Sequence, residues 1–125
     1  MKIIKVPFSG GSLGKNIGCE LAPDVLLSNF ETKLEILNIK PGNIDQVGSE
    51  LYNLIKISKE RSFLIGGDHS ITYFSFKAFS EKHNNCGMIV FDAHPDTQST
   101  DFITHEDYLR ILIEKKFLNP ANVVL

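Results

Sequence analysis

Tryptophan is absent from this chain and cysteine is scarce, with two thiols among 125 residues. Cys19 and Cys86 lie far apart and form no C-x-x-C pair, which excludes a redox or zinc motif of that type. Both are expected to be inert thiols in a reducing compartment. Neither sign of charge dominates: 13 basic and 15 acidic side chains leave a net charge of -2. That balance has no basic footprint for nucleic acid. No apolar run is long enough to span a bilayer. The opening MKIIKVPFSGG has basic residues but too short an apolar stretch for a signal peptide, so a cytoplasmic location is expected. The glycine-rich stretch after residue 8 has neither G-x-G-x-x-G spacing nor a phosphate-loop lysine, which argues against nucleotide binding. Internal repeats, low-complexity tracts and linkers are also missing. With 42% hydrophobic and 22% charged residues, the composition fits one small globular domain.

Short apolar runs alternate with helical patterns. Lys2 to Phe8 reads as a first strand, followed by a loop from Ser9 to Cys19 rich in glycine. Pro23 suits the first turn of a short helix, Pro23 to Phe30. Leu34 to Ile39 reads as a second strand, stopped by Pro41 and Gly42. Ile44, Val47, Leu51, Leu54 and Ile55 follow helical spacing and predict an amphipathic helix over 44–60. Phe63 to Ile65 is a third strand, and Ile71, Phe74, Ala78 and Phe79 predict a largely buried helix after it. Met88 to Phe91 is apolar on both faces, as a covered strand of a parallel sheet would be. Thr104 and Asp107 have capping-box spacing before a predicted helix over 105–117. Val123, Val124 and Leu125 begin a fifth apolar run, where the chain ends. Strand alternating with helix predicts an α/β fold, three layers αβα around a mainly parallel sheet. The fifth strand only begins, so residues 1–125 are expected to be the N-terminal part of a single larger α/β domain.

Two segments leave predicted strands carrying chemistry. Gly66, Gly67, Asp68, His69 and Ser70 follow the third strand. Asp92, Ala93, His94, Pro95 and Asp96 follow the fourth. A spacing of two places Asp92, His94 and Asp96 on one side of an extended backbone. In an open α/β sheet, ligands bind beyond the carboxyl ends of the strands, where both segments sit. Carboxylates this close repel one another and lose solvation, a cost that a divalent cation removes. An oxygen-rich donor set suits manganese or another hard divalent ion better than structural zinc. Asp68, one residue before a helix, reads as a capping group accepting backbone N–H bonds. His69 has a competing reading as a hydrogen-bonded histidine at a helix start, and Asp92 to Asp96 as a solvated turn. His83, beside Asn84 and Asn85, reads as a surface turn residue, and Phe74, Phe76 and Phe79 as packing.

GGDHS followed by FDAHPDT resembles the ureohydrolase superfamily of arginase, agmatinase and formimidoylglutamase. PFSGGSLGKNIGCELAPDVL is similar to that family's N-terminal glycine-rich loop and helix start. The resemblance covers the whole chain and the first half or less of the family domain. It implies a manganese-dependent hydrolase of guanidino or formimidoyl C–N bonds, acting through a hydroxide that bridges two Mn2+ ions. Carried over by residue, it makes His69 a ligand of the first ion and Asp92 a bridge between both. His94 then serves the second ion and Asp96 the first. Gln98 stands where arginase-like members place an asparagine against the amino-acid end of the substrate. His105 lies near a proton-shuttling histidine, which usually precedes glycine; here Glu106 follows. The alternative reading of His105 is an ordinary first-turn helix residue. The implied partners are a small guanidino or amidino substrate and, because the family commonly forms trimers or hexamers, further copies of the chain.

The family completes its metal pair with an SxDxDxxDP-like motif and a later substrate-binding glutamate. Neither occurs in this chain. A catalytically incomplete fragment or a non-catalytic metal-binding homologue is therefore the alternative expectation. A deacetylase-like relative is disfavoured by Asp96, which the Asp-x-His pair of that group lacks.

Overall fold

A computed structural model describes residues 1–125. Alternation in the first strand, β1 (Lys2–Val6), puts Ile4 and Val6 on one face and Ile3 and Lys5 on the other. Ile4 and Val6 are fully buried in a cluster with Val47, Leu51 and Ile55 of helix α2 (Ile44–Ile57) and Ile71 and Ala78 of helix α3 (Ile71–Ser80). On the opposite face Lys5 pairs at 2.6 Å with Asp24 of helix α1 (Ala22–Ser28). Helices thus flank β1 on both faces, the layered arrangement expected from the sequence pattern.

Strands β2 (Ile36–Asn38) and β3 (Ser62–Gly66) both run parallel to β1, with Ile4 opposite Leu37 and Leu64. Strand β4 (Met88–Ile89) pairs in parallel with β5 (Val123–Val124). These are two sheets, ordered β2-β1-β3 and β4-β5, and no ladder joins β3 to β4. All pairings are parallel, as expected, but the expected covering of the Met88 to Phe91 strand is corrected here. Ile89 is 68% exposed and Phe91 97% exposed, because apolar character alone does not bring a neighbour to a strand. No helix is long and apolar enough to cross a membrane.

Helix α2 starts where local chemistry dictates. The Asn43 side chain accepts from Gln46 N–H at 3.0 Å, and the Gln46 side chain accepts from Asn43 N–H at 3.1 Å, a reciprocal capping box. It ends at Ile57 rather than at residue 60, because Ser58 turns extended. Helix α3 divides the interior. Ile71 and Ala78 face the first cluster. Tyr73 and Phe76 face a second, made with Tyr108, Leu109, Leu112 and Leu118. Phe79, expected in the core, is 43% exposed and lies against the His83 ring. The last helix, α4 (Tyr108–Glu114), is shorter than predicted. The Asp107 carboxylate does accept from Thr104 N–H at 2.7 Å, but the Thr104 hydroxyl takes Glu106 N–H instead of closing the box. Residues 105–107 stay in a turn.

Helices α2 and α3 are clamped by Glu81, whose carboxylate meets Lys56 at 2.7 Å, Lys77 at 3.2 Å and the Tyr52 hydroxyl. The Lys56 bond, followed by that from Tyr52, lowers the Glu81 carboxyl from 4.5 to about 2. A depressed carboxyl contributes stability above its unfolded value, and this is lost as pH falls through the folded one. Glu81→Gln is therefore expected to lower stability by about 1 kcal/mol at neutral pH. The gap between variant and parent should close from pH 4.5 towards pH 2, measured by urea melts along a pH series.

Candidate metal centre

The β3 exit folds onto the N-terminal glycine loop. Asp68 N–H donates to Phe8 O at 3.0 Å. The buried Asp68 carboxylate accepts Gly11 N–H and Ser70 N–H, each at 2.8 Å, and the Ser70 hydroxyl as well. The capping role read from sequence is present, and it also ties loop 9–12 to the start of α3. His69 is thereby held between two anchored neighbours. Asp68→Ala leaves those donors without their charged acceptor, and hydrogen bonds to charged groups are among the stronger ones. It should cost about 3 kcal/mol in denaturant unfolding and broaden the His69 imidazole NMR signal through lost order.

From this anchor His69 reaches the second segment. Its Nδ1 lies 3.1 Å from Asp96 Oδ2 and 3.4 Å from Asp92 Oδ2. One donor atom from each of His69, Asp92 and Asp96 falls within 4.8 Å of the others. Asp96 is buried, at 8% exposure, and has φ of +47°, in the left-handed region that Asp and Asn tolerate. Burial, reinforced by the Asp92 charge, pushes the Asp96 carboxyl above the usual aspartate range. Asp92 moves the other way, lowered first by the backbone N–H of His94 and then by the neighbouring imidazoles. Two carboxylates held together at this cost, with one imidazole and no thiolate beside them, fit a hard divalent cation.

His94 stands outside the group. Its side chain is 80% exposed, with Nδ1 3.4 Å from the other Asp92 oxygen, Oδ1. The expected extended backbone is corrected. Asp92 Oδ1 accepts His94 N–H at 3.0 Å, and the chain bends at Ala93 and His94. An Asp side chain that captures the N–H two residues on forms a turn, so spacing by two no longer places side chains on one side. Asp92 consequently presents Oδ2 to His69 and Oδ1 to His94.

Both segments line a cavity of about 1050 Å³, together with Lys15, Asn16, Gln98, His105 and Glu106. His105 is fixed by Gly11 O, 2.7 Å from Nδ1 and 3.0 Å from its own N–H. A carbonyl only accepts, so Nδ1 carries the hydrogen and Nε2 is the nitrogen open to exchange. Gln98 is exposed, with its backbone N–H on Glu106 O at 2.9 Å and its carbonyl on Arg110 Nε at 2.7 Å. The sequence reading missed Tyr108. It is fully buried, with its ring 4.3 Å from that of His69 and its hydroxyl without a partner. Burial raises that hydroxyl's pKa, with the charges of Asp96 and Asp92 adding. Only its helical spacing with Leu112 offered a signal, and that signal marks core.

The Arginase family model matches residues 1–125. Proclavaminate amidinohydrolase of Streptomyces clavuligerus is 31% identical over 111 residues, covering 86% of this chain and 33% of that protein. This chain belongs to the arginase family. Arginase of Staphylococcus aureus is also 31% identical, over 76% of the chain and 41% of its own length. Formimidoylglutamase of Bacillus subtilis superposes with a TM-score of 0.81 at 20% identity, covering 98% of this chain and 45% of that one. Arginase of Bacillus subtilis gives 0.79 at 21% identity. The arginase-family chain thus has the arginase fold and spans between a third and about half the length of these relatives, from 33% to 53%. Its two strand-exit segments are the parts that meet in the cavity.

Proposed function

We propose that residues 1–125 are the N-terminal part of a manganese-dependent ureohydrolase domain that cleaves a guanidino or formimidoyl C–N bond. The convergence of His69, Asp92 and Asp96 within 4.8 Å carries this reading. His69 Nδ1 and one oxygen each from Asp92 and Asp96 would hold the first ion. The second Asp92 oxygen and His94 would serve the second. A divalent pair, when bound, supplies Lewis acidity and a hydroxide nucleophile at neutral pH. The chain's own groups do the rest. Asp92 and Asp96 would be taken up as ligands, and the cavity they line with Gln98 and His105 would receive the amidine beside them. His105, oriented through Nδ1 by Gly11 O, would take up a proton from water at Nε2 and pass it on to the departing amine. Gln98 also lines the cavity and would contact the far end of the substrate. Family relatives that act on guanidino compounds support the substrate class, and the soluble composition supports a cytoplasmic location.

A second reading, a catalytically incomplete metal-binding chain, is favoured by the outward position of His94. Calorimetric titration with Mn2+, paired with urea and formamide assays on arginine, agmatine and formimidoylglutamate, separates the two. Two saturable sites with turnover support the hydrolase. One site without turnover supports the incomplete chain. No saturable binding overturns both.

A further inference from the structure

A neutral histidine ring carries one hydrogen, and at His105 two acceptors compete for it. Gly11 O lies 2.7 Å from Nδ1. On the other side of the ring, Glu106 Oε1 lies 3.6 Å from Nε2. A hydrogen on Nδ1 goes to Gly11 and leaves the Nε2 lone pair free. A hydrogen on Nε2 turns to the Glu106 carboxylate and leaves the Gly11 carbonyl without its ring donor. Only the first form can take up a proton at Nε2, since the bond made by one ring nitrogen sets what the other can do. Lys15 bonds that same oxygen of Glu106, which makes Glu106 the weaker competitor as long as the Gly11 carbonyl stays in place.

A loop carbonyl holds a ring only as firmly as the loop itself is held. Gly11 and Ser12 are buried, and each neighbouring peptide is tied. Ser12 N–H donates to Ser9 O at 3.1 Å, which fixes the peptide that bears the Gly11 carbonyl. That carbonyl also accepts His105 N–H at 3.0 Å. On the other side, Gly11 N–H donates to Asp68 Oδ2 at 2.8 Å. Among these acceptors Asp68 alone brings a charge, and charged acceptors make the stronger bonds. Its carboxylate is in turn fixed through the second oxygen, Oδ1, by the Ser70 N–H and hydroxyl. One buried carboxylate thus stands next to His69 in the chain and reaches His105 through Gly11, a residue 57 positions away.

We propose that Asp68 is a positioning residue for His105: through Gly11 it holds the imidazole as the Nδ1–H tautomer and keeps Nε2 free to carry protons. The use of that proton in catalysis rests on the hydrolase reading above. The tautomer itself does not, so the two can fail separately.

The test is ring-nitrogen NMR of the metal-free chain in alkaline buffer, with His105→Gln to assign the signals. The parent should show the Nδ1–H form. Asp68→Ala should move the ratio of the two tautomers about fivefold towards Nε2–H, with the hydrogen passing to Glu106. Ser70→Ala is the control. It removes a hydroxyl bond to the same carboxylate but leaves Gly11 N–H bonded, so it should lower stability without moving the tautomer. If Asp68→Ala does not fold, Asp68→Asn takes its place. Its single oxygen cannot serve the donors on both sides, and the ratio should move in the same direction. An Nε2–H form in the parent, an unmoved ratio in the folded Asp68 variant, or an equal move in Ser70→Ala overturns the proposal. Tautomer shifts as stated, in a chain that binds no metal and turns over no amidine, remove the hydrolase reading and leave Asp68 as the residue that positions His105.

Discussion

Asp96→Asn is expected to reduce Mn2+ affinity by at least about 100-fold while leaving the metal-free fold within about 1 kcal/mol of the parent. The two effects separate for stated reasons. Asparagine tolerates the left-handed backbone at this position, where φ is +47°. Its amide oxygen can still accept from His69 Nδ1, 3.1 Å from Oδ2 in the parent. What is lost is the charge. Without metal that charge is a liability, since burial and Asp92 both push the carboxyl towards its neutral form. With metal it is a ligand. Calorimetric Mn2+ titration and thermal melts with and without the ion read both halves. Unchanged metal affinity together with a large loss of metal-free stability would show that Asp96 is a structural residue, and the metal centre would lose its buried donor.

Gly67→Ala is expected to destabilise the chain by about 3 kcal/mol and to abolish Mn2+ binding under conditions where the parent binds. A methyl group at Gly67 would collide with the carbonyl oxygen of Phe8 and come within 3.0 Å of that of Cys19. Both are backbone atoms of the β1 exit and the glycine loop, and neither can rotate aside as a side chain would. The strand exit must then move outward, taking with it the Asp68 bonds to Gly11 and Ser70 and the position of His69. Gly14→Ala is the control. Gly14 has φ of +72° with nothing near its would-be Cβ, so the substitution should cost about 1 kcal/mol from backbone strain alone and leave metal binding intact. Urea unfolding and Mn2+ calorimetry on the two variants make the comparison. Equal costs at the two glycines would refute the close approach at Gly67.

The parts of the fold that were legible in the sequence are those set by near neighbours. Asn43 and Gln46 cap α2 three residues apart, and Val47, Leu51 and Ile55 form its buried stripe; both are local patterns. Asp68 was readable as a capping group because its acceptors' partners include the N–H two residues on. Long-range choices were not readable. Met88 to Phe91 looks like a buried strand, yet whether Ile89 and Phe91 find cover depends on which strand lies beside β4, and β3 does not. The same holds for α3, where the sequence shows apolar residues all round but not that the helix serves two clusters.

Within the site, residue types and their order at two strand exits were enough to nominate His69, Asp92, His94 and Asp96. Ligand chemistry is carried by side-chain identity, and a strand's end places loops beyond it. Which of those atoms converge was decided elsewhere. A turn closed by Asp92 on His94 N–H sends the His94 ring outward, while burial of Asp96 against His69 draws that pair together. Tyr108 behind His69 and the pairing of Lys15 with Glu106 depend on packing between segments 39 and 91 residues apart. Residue order alone was enough to mark an α/β chain of the arginase family with donor groups at two loop crests. Their distances came from packing, because a chain's local preferences set its elements, whereas contacts between distant segments emerge from how those elements pack.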